Sequence, residues 1–576
     1  MGKNIVICSD GTGNSDIKGR GTNVFKIFEA IDLNGHRTDP TLVPQVAFYD
    51  DGVGTENFKP LKTFTGATGF GLSRNVRQLY KELVRVYDPG DRIFLFGFSR
   101  GAFTVRTLAD FICKCGILDI TKLSTVAALE STVRKTYRVY RRCYRTEIAK
   151  LFLGDPEPSE VTEQFKNTYC LKHEVRIAFI GVWDTVDAVG LPFHIGDFIN
   201  LFYRFKFPDY HLSPLVDRAC HALATDDERH SFHPLLWKQL AGDDKRIEQV
   251  WFAGAHSNVG GGYPKQGMSL VTLDWMMQKA RAAGLRILDS DGALYRARSN
   301  VDDKLYDPRA GLGIFYRWKP RDIAAMCDQN NVHPAIHLSV LERIAHGTED
   351  YVPGNLPPNA SVVITPTGVP QEDAAALQRA REVESVFRSA HADRAHGQSL
   401  LSHVQRSVVT GLLSYYVYLL CCTAVIIAAS APNDARSLVN PWLLMSNGAL
   451  LLANVATFQI GALFSAVKQL ATSAALLGTL GGGFLLSYLL AWFADHRMCT
   501  VFSEFWHHTQ RQLRVALKQV RESETHSETY VLAALAKEAF ADGPSILHGL
   551  RPNGRVIHSG AEFTEQKRGN YGSAAL

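Results

Sequence analysis

Asp88-Pro-Gly-Asp-Arg-Ile-Phe-Leu-Phe-Gly-Phe-Ser-Arg-Gly-Ala-Phe103 is the stretch from which the fold can be worked out. It begins with a turn, continues as a short apolar run typical of a buried strand, and passes into apolar residues at helical spacing. The serine of Gly97-Phe-Ser-Arg-Gly101 therefore lies on a strand-to-helix turn, where two glycines let strand and helix approach and the hydroxyl is exposed. This context predicts that Ser99 is a nucleophile; the alternative is a tight turn in which the serine only caps the helix.

A nucleophilic serine needs a base, and the base needs a carboxylate that orients it. In α/β-hydrolases the acid and then the histidine follow the serine along the chain, each after a strand. The strand-like run 175–183 is followed by Asp184, and the run 249–255 is followed by His256 and a glycine-rich loop. Order and context therefore predict Ser99, Asp184 and His256 as a catalytic triad. The rivals are His221, His230 and His233 for the base, and Asp187 and Asp110 for the acid.

A second glycine-containing loop, Ser9-Asp-Gly-Thr-Gly-Asn14, follows the first apolar run. We expect backbone amides of Gly11 and Thr12 to stabilise an oxyanion together with the amide of Arg100, although an ordinary turn explains the loop equally well. The side chains that flank these groups are expected to line the substrate pocket; they are Asp10, Asn14, Trp183 and Asn258.

The same loop is also similar to part of a phosphatase motif. A strand followed by Asp-Gly-Thr resembles the start of haloacid-dehalogenase-type phosphatases, whose attacking aspartate would stand at position 8. Position 8 is Cys8, which has no carboxylate, so this interpretation is disfavoured. The turn at Gly52–Thr55 lacks the Gly-Lys-Ser/Thr ending of a phosphate-binding loop.

Composition narrows the class of protein. Of the 576 residues, 46% are hydrophobic and 21% are charged, which excludes a mainly disordered chain. The small net charge of +5 gives no support to a nucleic-acid partner. The ten cysteines form no CxxC pair, so we expect no zinc site, no disulfide framework and no cofactor. The N-terminal apolar run Ile5–Cys8 is too short for a secretory signal, so we expect synthesis of the catalytic domain in the cytoplasm.

Short apolar runs alternate with helical patterns through the first 400 residues, which predicts an α/β fold with a mostly parallel sheet and helices on both faces. Val76–Val86 shows the clearest helical stripe. Candidate strands are Ile5–Cys8, Gln45–Tyr49, Ile93–Phe96, Ile177–Val182 and Gln249–Ala253. The predicted domains are a hydrolase core at 1–286, a cap and connecting helix at 287–400, membrane helices at 401–495, and a helical, partly loose tail at 496–576.

Three stretches near the C-terminus contain no Asp, Glu, Lys or Arg; they are Ser407–Asn433, Ser437–Val467 and Gln469–Ala494. A helix that crosses a bilayer needs about 20 apolar residues. The first and third stretches satisfy this through Val408–Ala429 and Ala474–Ala494, whereas the middle one, Trp442–Val467, contains polar amides. We therefore predict two or three transmembrane helices and a membrane-associated protein. The alternative is a buried helical core or an amphipathic hairpin.

Ten motifs, in their order along the chain, resemble those of one family, the type VI secretion phospholipase effectors and their wider α/β-hydrolase domain family. They are Ser9–Asn14, Gly21–Val24, Gly52–Thr55, Gly97–Ala102, Val182–Val186, Ala222–Glu228 with Phe232–Pro234, Ala255–Tyr263, Tyr306–Arg309, Tyr316–Trp318 and Asn355–Pro357. The resemblance covers about residues 3–365. One departure is Asn258, where the loop of that family commonly reads His-Ser-Asp; if the aspartate supports the histidine, its replacement would weaken activity.

The resemblance implies a serine esterase that acts on phospholipid acyl bonds and requires no metal. It also allows secretion as an effector, with a secretion apparatus or an immunity protein as partner. We therefore expect a membrane-associated esterase that hydrolyses lipid esters through a Ser-His-Asp triad. Two alternatives stay open: a membrane-anchored, non-catalytic adaptor on a hydrolase scaffold, and a pore-forming or delivery module coupled to the hydrolase domain.

Overall fold

The computed structural model describes residues 2–11, 21–51, 70–142, 158–187, 210–310, 316–391, 394–430 and 474–541. Thr12, Asn14, the Gly52–Thr55 motif and the predicted middle span Trp442–Val467 lie outside these ranges. The chain divides into two compact units, Met1–Leu517 and Lys518–Leu576. All the residues discussed below belong to the first unit.

Eight parallel strands form one sheet in the order β2-β1-β3-β4-β5-β6-β7-β8. The strands are β1 (Asn4–Ser9), β2 (Gln45–Asp50), β3 (Arg92–Phe98), β4 (Ile177–Trp183), β5 (Ala219–Ala224), β6 (Ile247–Phe252), β7 (Ala335–His337) and β8 (Ser361–Val363). The central strands are buried along almost their whole length, as expected for a parallel sheet that is covered on both faces. The predicted α/β class with a mostly parallel sheet is confirmed.

The helices cover both faces of this sheet. They are α1 (Asn23–Glu29), α2 (Gly35–Thr38), α3 (Phe70–Val86), α4 (Arg100–Cys115), α5 (Val126–Arg142), α6 (Pro158–Tyr169), α7 (His256–Gly260), α8 (Gly267–Ala282), α9 (Asp289–Arg298), α10 (Ile323–Gln329), α11 (Leu338–His346), α12 (Pro370–His391), α13 (Arg394–Ser430) and α14 (Ala474–Ala541). Along β1, Ile5 and Ile7 pack with α3 to α6, whereas Val6 and Cys8 pack with α1 and α8. This alternation is the two-residue period of a strand.

The five strands predicted from the sequence are all present, and three others were missed. Strand β5 reads Ala-Cys-His-Ala-Leu-Ala, which has no β-branched or aromatic residue, yet it pairs with β4 and β6 and is fully buried. Strands β7 and β8 are three residues long and lie within the segment 287–400 that we expected to form a cap. Strand β7 pairs with β6 and β8 pairs with β7, so this segment extends one edge of the sheet.

The C-terminal helices pack against that same end of the sheet. Phe387 of α12 and Trp506 of α14 join a buried cluster with Trp251 and Ile336 of strands β6 and β7. The indole Nε1 of Trp506 also donates to the carbonyl oxygen of Pro353 at 2.9 Å. Helix α14 is therefore held on the globular domain by both apolar packing and a buried hydrogen bond.

One helical window in the described part of the chain, Arg406–Ala424, is long and apolar enough to cross a membrane by length and composition. Only 22% of this window is buried. The predicted third span, Ala474–Ala494, forms the beginning of α14. These observations do not confirm the two or three transmembrane helices predicted from the sequence.

We predict that Gly101→Ala destabilises the protein, because a Cβ atom at this position would collide with the carbonyl oxygens of Ser9 and Asp10. Overpacking of this kind costs about 1–3 kcal/mol or more of unfolding free energy. Urea unfolding would measure the loss. The matched control is Gly292→Ala, whose Cβ would meet only the end of the flexible Arg281 side chain. Equal stability of both variants would contradict the prediction.

Candidate active site

Ser99 lies on the sharp turn between β3 and α4. Its backbone has φ 59° and ψ −123°, a conformation that a residue with a Cβ rarely adopts, and its amide donates to the carbonyl oxygen of Trp183 at 3.1 Å. Such strain costs of the order of 1–3 kcal/mol and persists only where the surroundings enforce it. The enforcing contact is the close approach of strand and helix, because a Cβ on Gly97 would lie 2.6 Å from the carbonyl oxygen of Gly101.

His256 is the first residue of α7, which follows β6. Its Nε2 lies 2.8 Å from Oγ of Ser99, and its Nδ1 lies 2.6 Å from Oδ2 of Asp184. All three side chains are buried. The structure therefore brings together the three residues that the sequence predicted as nucleophile, base and acid, in a hydroxyl–imidazole–carboxylate row.

Asp184 follows the last residue of β4 and has a positive φ of 37°. Its Oδ1 accepts from the amide of Ala224 at 3.0 Å and from Nη1 of Arg321 at 2.7 Å, and its Oδ2 accepts from Nη2 of Arg321 at 2.8 Å. Together with the bond from His256, these contacts give a fully buried carboxylate four hydrogen bonds. Such pairing offsets the large cost of removing a carboxylate from water.

Two aromatic rings and a second ion pair hold the imidazole in place. The rings of Phe98 and Phe232 lie 4.6 and 5.1 Å from that of His256, Phe232 edge-on. The guanidinium of Arg229 lies over the Phe232 ring at 3.4 Å and pairs with Asp227 at 2.6 Å. Oδ2 of Asp227 in turn accepts from the backbone amide of His256 at 3.3 Å. The His256 ring thereby has two aromatic neighbours, and its backbone amide is anchored by Asp227.

The electrostatics of the row favour a neutral imidazole beside an ionised acid. Burial lowers the pKa of His256, although Asp184 acts in the opposite direction. Burial would raise the pKa of Asp184, but Arg321 and His256 together hold it well below its usual value. A neutral imidazole whose Nδ1–H donates to Asp184 leaves Nε2 to accept from the Ser99 hydroxyl. This is the protonation pattern of a general base.

The rival residues lie in other environments. Nε2 of His221 accepts from the amide of Thr185 at 3.1 Å, and His230 stacks on His233, whose Nε2 donates to the carbonyl of Lys319. Asp110 accepts from Tyr140 Oη at 2.9 Å and pairs with Lys114. Asp184, rather than Asp187, is the acid that contacts the His256 ring. Over the described ranges, no group of three or more His, Cys, Asp or Glu side chains could hold a metal ion.

The first loop is close to the nucleophile, since Gly101 of α4 contacts the backbone of Ser9 and Asp10. The carboxylate of Asp10 accepts from Thr22 Oγ1, from Tyr49 Oη at 2.7 Å, and from the amide of Gly11 at 2.6 Å. Asp10 thus fastens the loop, and the Gly11 amide has a partner within it. The role of Gly11 and of the Arg100 amide in an oxyanion hole stays a prediction, as does that of Thr12.

Asn258 and Trp183 were expected to line the pocket. The Nδ2 of Asn258 donates to the carbonyl of Lys304 at 3.0 Å, and its Oδ1 accepts from the amides of Ala255 and Tyr306. Its side chain therefore ties the segment after α9 to the beginning of α7. Trp183 is fully buried among the apolar residues on the α1 and α8 face of the sheet.

Sequence reasoning did not identify Arg321, nor the pair of Asp227 and Arg229. Arg321 lies in a loop before α10 with no periodic pattern around it, more than 130 positions after the acid it contacts. Nothing in the local sequence marks it. Only the assembled sheet places it beside Asp184.

Residues 3–279, slightly less than half of the chain, match the family described as T6SS, Phospholipase effector Tle1-like, catalytic domain. The family resemblance predicted from the sequence is confirmed for these residues. The matched region contains Ser99, Asp184 and His256 but ends before Arg321.

The chain is also similar to individual proteins. It is 28% identical over 258 residues to the uncharacterized protein YEL023C of Saccharomyces cerevisiae, a match that covers 42% of this chain and 33% of that protein. A crystal structure of an uncharacterized protein from Pseudomonas aeruginosa shares 18% identity, covers 67% of this chain and 60% of its own, and has a TM-score of 0.29. The structure of the Tle1 effector bound to the VgrG spike shares 18% identity, covers 46% and 52%, and has a TM-score of 0.24.

We predict that Asn258→Asp lowers stability and does not strengthen the histidine. The new carboxylate would place one oxygen against the Lys304 carbonyl, where the amide now donates, and its other oxygen would keep the amides of Ala255 and Tyr306 as partners. A buried unsatisfied acceptor of this kind costs about 1–3 kcal/mol of unfolding free energy, which urea unfolding would measure. The control is Asn300→Asp, since exposed Asn300 uses its Oδ1 only as an acceptor for the Asp302 amide. A stabilised Asn258→Asp protein would refute the prediction.

Proposed function

We propose that the protein is a serine hydrolase that cleaves acyl ester bonds of phospholipids or related lipids through Ser99, His256 and Asp184. The observation that carries the proposal is the buried row of hydrogen bonds, 2.8 Å from Ser99 to His256 and 2.6 Å from His256 to Asp184. The match of residues 3–279 to a phospholipase effector family supports a lipase-like activity in general. The serine mechanism and the membrane association are proposed in addition to this general lipase-like activity.

In this mechanism His256 Nε2 takes the proton of the Ser99 hydroxyl as the serine oxygen attacks the ester carbonyl carbon. The carbonyl oxygen becomes an oxyanion, and we expect the amide of Arg100 at the beginning of α4 to stabilise it, because the first amides of a helix have no partner within the helix. His256 then gives its proton to the leaving alcohol, and an acyl-serine remains. Water, deprotonated by the same imidazole, attacks the acyl-serine; as the fatty acid leaves, the imidazolium returns a proton to Oγ of Ser99.

The proposed membrane association rests on an apolar surface that α13 and α14 form together. Ser414 Oγ donates to the Ser487 carbonyl at 2.7 Å, and Ser487 Oγ donates to the Ser414 carbonyl at 2.9 Å, both buried between the helices. The outward side chains are large and apolar, and each is at least 45% exposed; they are Val409, Leu413, Tyr416, Leu420, Leu485, Leu486, Tyr488, Leu489, Trp492 and Phe493. We call these ten side chains the apolar face. Exposed patches of this kind are typical of membrane or partner surfaces.

The apolar face is connected to the candidate site through a short chain of contacts. Gly411 of α13 packs against the ring of Trp318, whose Nε1 donates to Oε2 of Glu228 at 2.8 Å. The next residue, Arg229, lies over Phe232, which contacts His256. Contact of the apolar face with a bilayer would therefore bring lipid near the proposed catalytic residues.

The proposals about how the protein is delivered and which partner proteins it binds rest on the family resemblance alone. The family description names the type VI secretion system, and one related structure is that of an effector on a VgrG spike. We propose that this chain is an effector delivered by such an apparatus. An immunity protein as a further partner remains a prediction from the sequence. The non-catalytic adaptor and the pore are the competing functions, and the two experiments below separate them from the hydrolase.

Ser99→Ala is expected to lower hydrolysis of phospholipid and of a soluble short-chain ester by at least about 10³-fold, because the nucleophile is removed. A serine-directed fluorophosphonate probe should label the parent protein and not this variant. Ser131→Ala, which removes an exposed hydroxyl of α5, is the matched control and should be labelled normally. Labelling that persists in Ser99→Ala would refute the assignment; a parent protein without labelling would favour the adaptor.

Replacing Leu420 and Leu489 of the apolar face by Glu is expected to reduce co-sedimentation with liposomes at least ten-fold. Burial of one leucine contributes about 1.5–3 kcal/mol to binding, and a carboxylate opposes entry into lipid. The measurement uses the Ser99→Ala background, so that the lipid stays intact. Leu240→Glu, at an exposed loop position of the hydrolase core, is the control. Unchanged sedimentation would contradict the proposal, and dye leakage caused by Ser99→Ala protein would favour the pore.

A further inference from the structure

The guanidinium of Arg321 forms an ion pair with the proposed catalytic acid, Asp184. It forms two parallel hydrogen bonds, Nη1 to Oδ1 of Asp184 at 2.7 Å and Nη2 to Oδ2 at 2.8 Å. Nη1 also donates to the carbonyl of Ala224, and Nη2 donates to that of Phe232 at 2.6 Å. Arg321 is only 1% exposed, so water does not weaken this pair.

A buried carboxylate needs a positive partner to stay ionised. Without Arg321, the partners of Asp184 would be the Ala224 amide and His256, and only an imidazolium at His256 would supply the missing positive charge. A protonated imidazole cannot take the proton of the serine hydroxyl, so the base would be lost at the pH where the enzyme works. An arginine keeps its charge at every working pH and therefore satisfies the acid without using the base.

We propose that Arg321 is a positioning residue of the hydrolytic site: it holds Asp184 ionised and oriented, and so keeps His256 neutral and able to act as the base. The inference rests on the proposed function. It extends the hydrogen-bonded row from three residues to four and adds one that lies outside the region matched to the family.

The other charged and titratable groups around the row have their own partners. Asp227 pairs with Arg229 at 2.6 Å, and Asp226 accepts from the Gly254 amide and from Tyr351 Oη. Burial lowers the pKa of His221 to about 3 and that of His233 to about 4, so both rings are neutral near pH 7. Burial raises the pKa of Tyr263.

Glu228 is a neighbouring group whose own titration could be mistaken for that of His256 in a pH profile. Desolvation raises the pKa of its carboxyl, and the carboxyl accepts from Trp318 rather than from a member of the row. The variant Glu228→Gln removes this titration and keeps an acceptor for the Trp318 indole. It therefore shows which part of a pH profile belongs to His256.

The test is the pH dependence of Ser99 labelling by a fluorophosphonate probe and of kcat/KM for a soluble short-chain ester, in parent, Arg321→Met and Arg321→Lys proteins. Loss of the cation favours protonation of His256, so the acidic limb of both profiles should move to higher pH, by about one unit or more in Arg321→Met. Arg321→Lys keeps the charge but not the forked geometry, so its limb should move less. The same shift should appear in a Glu228→Gln background.

A merely structural role would lower the rates or the unfolding temperature and leave the acidic limb in place, and that result would overturn the inference. If Arg321→Met does not fold, Arg321→Gln, which keeps an N–H donor but no charge, decides in its place, since an unmoved limb in that variant is equally fatal. Ser99-dependent labelling with unmoved limbs would refute only the role of Arg321. A parent protein without Ser99-dependent labelling would refute the proposed function as well.

Discussion

The carboxylate of Asp184, fully buried at the end of β4, is the group on which the rest of the site depends. It can stay ionised there only because Arg321, His256 and the Ala224 amide together give it four hydrogen bonds. Each partner comes from a different segment: a loop before α10, the beginning of α7 and the end of β5. The acid therefore requires that distant parts of the chain meet at one edge of the sheet.

The parallel register of neighbouring strands brings these segments together at one edge of the sheet. Phe98 of β3 pairs with Trp183 of β4, and Trp183 pairs with Ala222 of β5, so Ser99 and Asp184 are the next residues on neighbouring strands. Hydrogen bonds from the Ser99 amide to Trp183 and from the Asp184 amide to Ala222 continue the ladder through both turns. Both residues then adopt positive φ, which turns their side chains toward the histidine that follows β6. Close glycines at positions 97 and 101 make the first of these turns possible.

Features that depend on local pattern were predictable from the sequence, and features that depend on assembly were not. Chain order and strand context were enough to predict that Ser99, Asp184 and His256 meet, and the structure brings these side chains within hydrogen-bond distance of one another. Strand β5 was missed because its alanines carry little β-propensity, and β7 and β8 because three residues are too few to show a period. Arg321 was missed because a single arginine in an irregular loop gives no signal until its partner is known. The hydrogen bond from the amide of Asn258, which was expected to line the substrate pocket, to the Lys304 carbonyl was not predictable, because the two residues are distant in the sequence.

The segment that carries Arg321 also links the site to the C-terminal helices. Trp318, three residues earlier, packs on Gly411 of α13, where any side chain larger than hydrogen would collide with the indole. The Trp318 indole donates to Glu228, and Arg321 donates to Asp184, so one short loop is fastened at both ends. A displacement of α13 would therefore act on Trp318 before it acted on any member of the row. Because Arg321 is paired and buried, such a displacement would reach Asp184 through the loop backbone, and the position of the His256 ring would depend on a helix that carries four of the ten side chains of the apolar face.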